Sequence, residues 1–195
     1  LNAICQRMEA HLPGAMCSIL LLEDGCLRNG ASPSLPQAFV AGIDGAKIGP
    51  AVGSCGTAAY RGEPVMVDNI ATSPLWEGYA SHPLKYGLHA CWSTPFFSGN
   101  RQVLGTFAIY FSEPRAPCDN ELAVIAHATH LASVAVERWQ QIANLRRLAT
   151  TDLLTELPNR AAFLDRAKEE LRRARRFGHP SALLMIDIDR FKRIN

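Results

Sequence analysis

The chain has 195 residues, 48% of them apolar and 19% charged, with a formal net charge of +2. That composition excludes a disordered or fibrous polypeptide and leaves one or two domains with cores large enough to fold without staples. The charge is uneven: residues 1–149 hold 10 Lys/Arg against 11 Asp/Glu, and residues 150–195 hold 10 against 7. A basic tail suits a phosphate-bearing ligand, although a solvated helix face accounts for most of it.

The cysteines at 5, 17, 26, 55, 91 and 118 form no C-x-x-C and no metal-type pairing with histidine. This argues against a disulfide scaffold and for reduced, mostly buried thiols in a cytoplasmic protein. No apolar run approaches the roughly 18–20 residues needed to span a bilayer, and no signal peptide opens the chain. Opening at Leu1 and stopping at Asn195 inside a pattern, the sequence reads as a piece of a longer protein.

Ile4, Met8 and Leu12 mark one face of a first helix over 2–11, stopped by Pro13-Gly14. Residues 17–22 form a buried strand, Glu23-Asp24-Gly25 turns, and 26–31 return, which makes a hairpin. A short helix is expected over 35–43, helical turns over 56–60 after a glycine-rich stretch, and a strand over 65–67. A helical and loop segment over 74–86 carries Trp76 and Tyr79.

Strands follow over 89–97 and 103–111, and the second is apolar on both of its alternating faces. Such a strand belongs to a sheet covered on both sides, or to one with a ligand against it. No Pro or Gly occurs from 119 to 150, so one helix of roughly 45 Å is predicted there. It carries two stripes: Leu131, Ala135, Arg138, Ile142, Leu145 and Ala149, and Ile125, Thr129, Ala132, Val136 and Trp139. One stripe packs on the home sheet while the other meets a partner helix, which predicts a homodimer.

A basic amphipathic helix over 159–177 comes next, stopped by Gly178-His179-Pro180. After it, residues 181–186 read as a buried strand ending in Asp187-Ile188-Asp189. That strand is expected to be ordered by packing against a second copy or against the first domain.

Two stretches resemble known families. Ile48-Gly49-Pro50-Ala51-Val52-Gly53-Ser54-Cys55-Gly56-Thr57-Ala58-Ala59-Tyr60-Arg61-Gly62-Glu63-Pro64-Val65 resembles the centre of GAF domains from bacterial sensor proteins. Cys91-Trp92-Ser93-Thr94-Pro95-Phe96 and Val103-Leu104-Gly105-Thr106-Phe107-Ala108 resemble the two strands that close that fold. The resemblance covers 1–145 and implies an α+β domain: a six-stranded antiparallel sheet with helices on one face and a small-molecule pocket on the other.

The second stretch is Asp152-Leu153-Leu154-Thr155-Glu156-Leu157-Pro158-Asn159-Arg160, together with Asp187-Ile188-Asp189-Arg190-Phe191-Lys192-Arg193-Ile194-Asn195. It resembles the opening of GGDEF-type diguanylate cyclase domains, with Leu153 and Glu156 where the family has Pro and Gly. Residues 150–195 are thereby identified as an incomplete α/β segment. The resemblance implies that Asp187 holds Mg²⁺ and that Asn195 contacts the guanine of GTP in an intact cyclase. The GG[DE]EF loop and the second metal carboxylate lie beyond Asn195, so residues 1–195 alone are expected to be inactive.

Cys55, Trp76, Tyr79, Trp92, Phe96 and Phe107 are the candidate ligand-binding residues, in a pocket between the sheet and the 76–86 segment, beside Trp92 and Phe107. Simple core packing explains each of them individually as well. Cys55 at a helix start has the setting of a reactive thiol, but a small residue in a tight Gly53-x-x-Gly56 turn is the plainer reading. A thiol redox enzyme of the free methionine sulfoxide reductase type needs further cysteines near Gly45 and Tyr79, where there are none. His82, His89 and Cys91 match no common metal or haem spacing.

The leading expectation is therefore a sensory domain regulating cyclic di-GMP synthesis. The alternative is a dimerisation scaffold whose pocket is packed shut.

Overall fold

The computed structural model describes residues 1–186 and divides into two units, 1–140 and 141 onward. In the first, α1 (Asn2–His11) leads to β1 (Met16–Glu23) and β2 (Cys26–Ala31). The two residues between those strands, Asp24 and Gly25, have φ of 48° and 74°. Positive φ at both positions is what a type I′ hairpin requires, and Asp-Gly is the pair that tolerates it. Then come α2 (Gln37–Ile43), β3 (Ala46–Lys47), α3 (Gly53–Arg61) and β4 (Val65–Val67). A 3₁₀ turn (Pro74–Trp76), α4 (Ser81–Lys85), β5 (Ala90–Phe97), β6 (Val103–Phe111) and α5 (Asp119–Thr150) follow.

The strands form one six-stranded sheet in the order β3-β2-β1-β6-β5-β4, with every neighbouring pair antiparallel. Its centre joins β1 to β6, with Met16 opposite Tyr110 and Leu21 opposite Gly105. Gly105 is required there, because a methyl group would run into the Leu20 carbonyl oxygen and the Phe96 ring.

Alternation sends Cys17, Ile19, Trp92, Phe107 and Ile109 to one face, under α1 and α5. Leu20, Cys91, Ala108 and Tyr110 go to the other face, where they meet Phe39 of α2, Ala58 of α3 and Trp76. Helices thus cover both faces, and the doubly apolar β6 is explained by two cores back to back.

The stripe on α5 that meets the sheet is Ile125, Ala128, Thr129, Ala132 and Val136. Trp139, expected to continue it, is 66% exposed. The start of α5 is fixed by Glu121, whose carboxylate accepts from Cys118 N at 2.9 Å and from Arg115 Nη2 at 2.5 Å. This is half of a capping box, made from the third helical residue back to the cap. The Arg115 guanidinium lies 4.4 Å from the Phe111 ring centroid, and its carbonyl accepts from Trp92 Nε1 at 3.0 Å.

In the second unit, α6 (Arg160–Phe177) is capped by Asn159, whose side chain accepts from Ala162 N at 3.0 Å. Gly178, at φ 70°, ends it.

The strand expected over 181–186 is not formed: these residues have no regular structure, and Leu183, Leu184, Met185 and Ile186 are 70–87% exposed. A strand exists only by pairing, and among the described residues no other strand pairs with this segment. Among the described residues no helix is long and apolar enough to cross a membrane.

Candidate functional site

The start of α3 organises the site. Gly53 has φ 57°, and a Cβ there would come within 3.1 Å of the Trp76 indole, so only glycine lets that ring lie against the helix. Ser54 then serves two elements at once. Its hydroxyl donates to the Cys91 carbonyl at 3.0 Å and accepts from Trp76 Nε1 at 3.1 Å. Helix, loop and β5 are thereby pinned together by one buried side chain.

A cavity of about 370 Å³ opens beside this junction, within the size range of small-molecule pockets. Leu20 and Tyr110 supply its floor, Cys55 and Trp76 one wall, and Tyr79 and His82 the other. Tyr79 is 50% exposed and forms the rim. His82 is held in place, with Nε2 3.1 Å from the Phe39 carbonyl oxygen and its ring stacked on Phe39 at 5.2 Å. None of the lining residues is Asp, Glu, Lys or Arg, so the cavity suits an uncharged, largely apolar molecule with a few hydrogen-bonding groups.

Cys55 Sγ lies 3.6 Å from the Tyr110 hydroxyl. The Cys91 thiol beside it lowers the Cys55 pKa to about 7 against the effect of burial, helped by the hydroxyls of Tyr110, Ser93 and Thr106. Burial, and then the neighbouring Cys55 charge, push the Tyr110 hydroxyl well above its ordinary value. Cys91 is likewise pushed up, by burial first.

Of the residues singled out from sequence, Cys55, Trp76 and Tyr79 line this cavity. Trp92, Phe96 and Phe107 do not; they are buried on the opposite face with α1 and α5. The pocket expected beside Trp92 and Phe107 is corrected accordingly. The reason is the period of two: Trp92 sits opposite Ile109 and Phe107 opposite Ile19, all on the α1–α5 side. Aromatic identity marks burial but not which face is buried.

Tyr110 and Leu20, missed as lining residues, carry a usable signal. They fall on the strand face toward the small-residue run Ser54-Cys55-Gly56-Thr57-Ala58-Ala59 of α3, and small residues let a helix approach a sheet closely. Among the described residues no group of three or more His, Cys, Asp or Glu side chains is placed to hold a metal. His82 and Cys91 are engaged as described above. Asp187 and Asn195 lie outside the described residues.

The opening motif of the second unit is built on Asp152. Its Oδ1 accepts from Thr155 N at 2.9 Å, from Thr155 Oγ1 at 2.8 Å and from Leu154 N at 3.2 Å, which holds its carboxyl below the usual range. Asp152 N donates to the Leu157 carbonyl at 2.8 Å, and Asn159 N to the Thr150 carbonyl at 2.9 Å, closing the turn that precedes α6.

A family model described as the GAF domain matches residues 1–137. The chain belongs to the GAF domain family. A second model, the diguanylate cyclase GGDEF domain, matches residues 149–195. The GAF domain of an Acinetobacter phosphoenolpyruvate-protein phosphotransferase shares the fold, with a TM-score of 0.57, 16% identity, and 74% of this chain and 84% of that one covered.

A methyl sulfide methyltransferase-associated sensor from Methanosarcina acetivorans is 40% identical over 134 residues, 68% of this chain and 13% of that protein. The diguanylate cyclase DgcP of Pseudomonas aeruginosa is 52% identical over 50 residues, 26% of this chain and 8% of that protein. The chain thus spans only a small part of the length of these relatives.

Proposed function

We propose that the GAF unit is the sensory input of a cytoplasmic signalling protein whose output is a diguanylate cyclase beginning near residue 149. The observation that carries this reading is the open cavity at Cys55, Trp76, Tyr79 and Tyr110, lined by no Asp, Glu, Lys or Arg, in a chain that also matches the GGDEF model. A scaffold with a vestigial pocket calls for that space to be filled by side chains, so the cavity favours the sensor. The ligand is a small molecule without anionic groups, because phosphates or carboxylates would find no Lys or Arg in the lining.

In the intact output domain, Asp187 holds Mg²⁺ and Asn195 contacts the guanine of GTP. Neighbouring carboxylates at Asp187 and Asp189 are the oxygen donors that a hard divalent cation prefers. The reaction joins two GTP molecules by attack of a 3′-hydroxyl on an α-phosphate. Two half-sites must meet for this, so control by the geometry of a homodimer along α5 follows naturally.

A thermal-shift screen of neutral metabolites tests the input. A ligand at 100 times its dissociation constant contributes about 2.7 kcal/mol of stability. Stabilisation by charged nucleotides alone would overturn the assignment of ligand class.

A further inference from the structure

One wall of the cavity is tied by hydrogen bonds to the opposite side of the sheet. Trp76 Nε1 donates to the Ser54 hydroxyl at 3.1 Å, and that hydroxyl donates to the Cys91 carbonyl at 3.0 Å. The next residue on β5, Trp92, lies on the α5 face because successive side chains alternate. Its Nε1 donates to the Arg115 carbonyl at 3.0 Å, while Arg115 N donates to the Asp68 carbonyl at 2.9 Å. Asp68 opens the segment that returns to Trp76. These contacts close a ring through α3, β5 and the connection over 112–118.

Arg115 is where that ring meets α5. Its guanidinium lies 4.4 Å from the Phe111 ring centroid and 5.2 Å from that of Trp92, and it pairs with Glu121. An exposed ion pair contributes little, but the Glu121 side chain is only 13% exposed, and its second oxygen accepts from Cys118 N at 2.9 Å. One carboxylate thus holds both Arg115 and the first turn of α5. Pro114 and Pro117 flank Arg115, and their fixed φ leaves the connection little room to absorb a displacement. Ser54, Cys91 and Trp92 are completely buried, and a close-packed interior transmits strain in the same way.

We propose that Arg115 is the positioning residue through which the cavity acts on α5. This rests on the sensory reading of the cavity and supplies its regulation. A ligand packed on the Trp76 indole favours one placement of that ring. Ser54 carries the shift to β5, Trp92 carries it across the sheet, and Arg115 tightens or releases its hold on Glu121. The responsive element is the first turn of α5. It is capped while the pair is made and frays when the pair breaks, because Cys118 N then loses its acceptor.

Amide hydrogen exchange, read residue by residue by NMR, tests this without a ligand. Trp76→Phe keeps a ring in the wall but deletes the N–H. It should speed exchange at Cys118 and at residues 122–124 by about two- to fivefold, up to the size of a lost helix cap. Ser54→Ala breaks the same link with a smaller change and should do likewise. The indole N–H signals give a second readout: Ser54→Ala should move that of Trp92, across the sheet, and leave that of the exposed Trp139 in place. In an Arg115→Ala chain exchange at these amides should already be raised, and adding Ser54→Ala should raise it no further. The thermal-shift screen decides the sensory reading and amide exchange decides the coupling, so each can fail alone. A merely structural Arg115 would leave the Arg115→Ala and Ser54→Ala effects additive, and that result would overturn the proposal. So would unchanged exchange at the start of α5 in both Trp76→Phe and Ser54→Ala.

Discussion

Glu156 holds its backbone at φ 58°, in the left-handed region where a side chain costs about 1 kcal/mol or more. The residue is exposed in the turn made by Asp152 and Thr155, so little packing offsets the strain. Glu156→Gly should therefore stabilise the second unit by about 1 kcal/mol, a little less once the extra freedom of unfolded glycine is counted. Urea titrations followed by circular dichroism check this; a loss of stability would mean that the turn is held differently.

A second expectation at this scale concerns alkaline pH. Burial raises Cys5 from an ordinary 9.0 to about 12, and Cys17 moves further in the same direction. Between those values the unfolded chain releases protons that the folded chain keeps. The contribution is complete below pH 9 and is lost as pH rises toward 12. Unfolding midpoints should drop over that window in the wild type, and less steeply in a Cys5→Ala, Cys17→Ala double variant. Equal slopes would contradict the assignment.

At the scale of elements, α5 carries more apolar surface than its own sheet covers. Leu131, Ile142 and Leu145 are 58%, 41% and 65% exposed, and they lie along the 3- and 4-residue steps that pair helices. Ile142→Glu with Leu145→Glu should convert a dimer to a monomer in light scattering; an unchanged mass would place the interface elsewhere.

The end of α1, the start of α5 and the bounds of β2 and β6 are legible in the sequence because Pro, Gly or a turn stands beside them. Three features were not legible. β3 has only two residues, Ala46 and Lys47, and exists by pairing with Leu27 and Cys26; no period is visible over that length. The face taken by Trp92, Phe96 and Phe107 depends on which helices cover each side, which alternation alone does not specify. Residues 181–186 have the composition of a strand, but composition does not supply a neighbour to pair with.

For the whole molecule, the central claim is that the α3 face of the sheet, and not the α1–α5 face, holds a small ligand. Cys55, Trp76 and Tyr79 line the cavity there, whereas Trp92 and Phe107 are fully packed behind the sheet. A discriminating pair of variants follows. Ala46→Phe projects a ring into the cavity from β3; Phe107→Leu alters the opposite core. Both keep the apolar character of their sites, and the second removes only part of a buried side chain. Native mass spectrometry of the chain purified from cells reads the outcome directly. The account predicts an added small-molecule mass on the wild type and on Phe107→Leu, and a bare chain for Ala46→Phe. A bound mass that survives Ala46→Phe, or a wild type as bare as that variant, would contradict it.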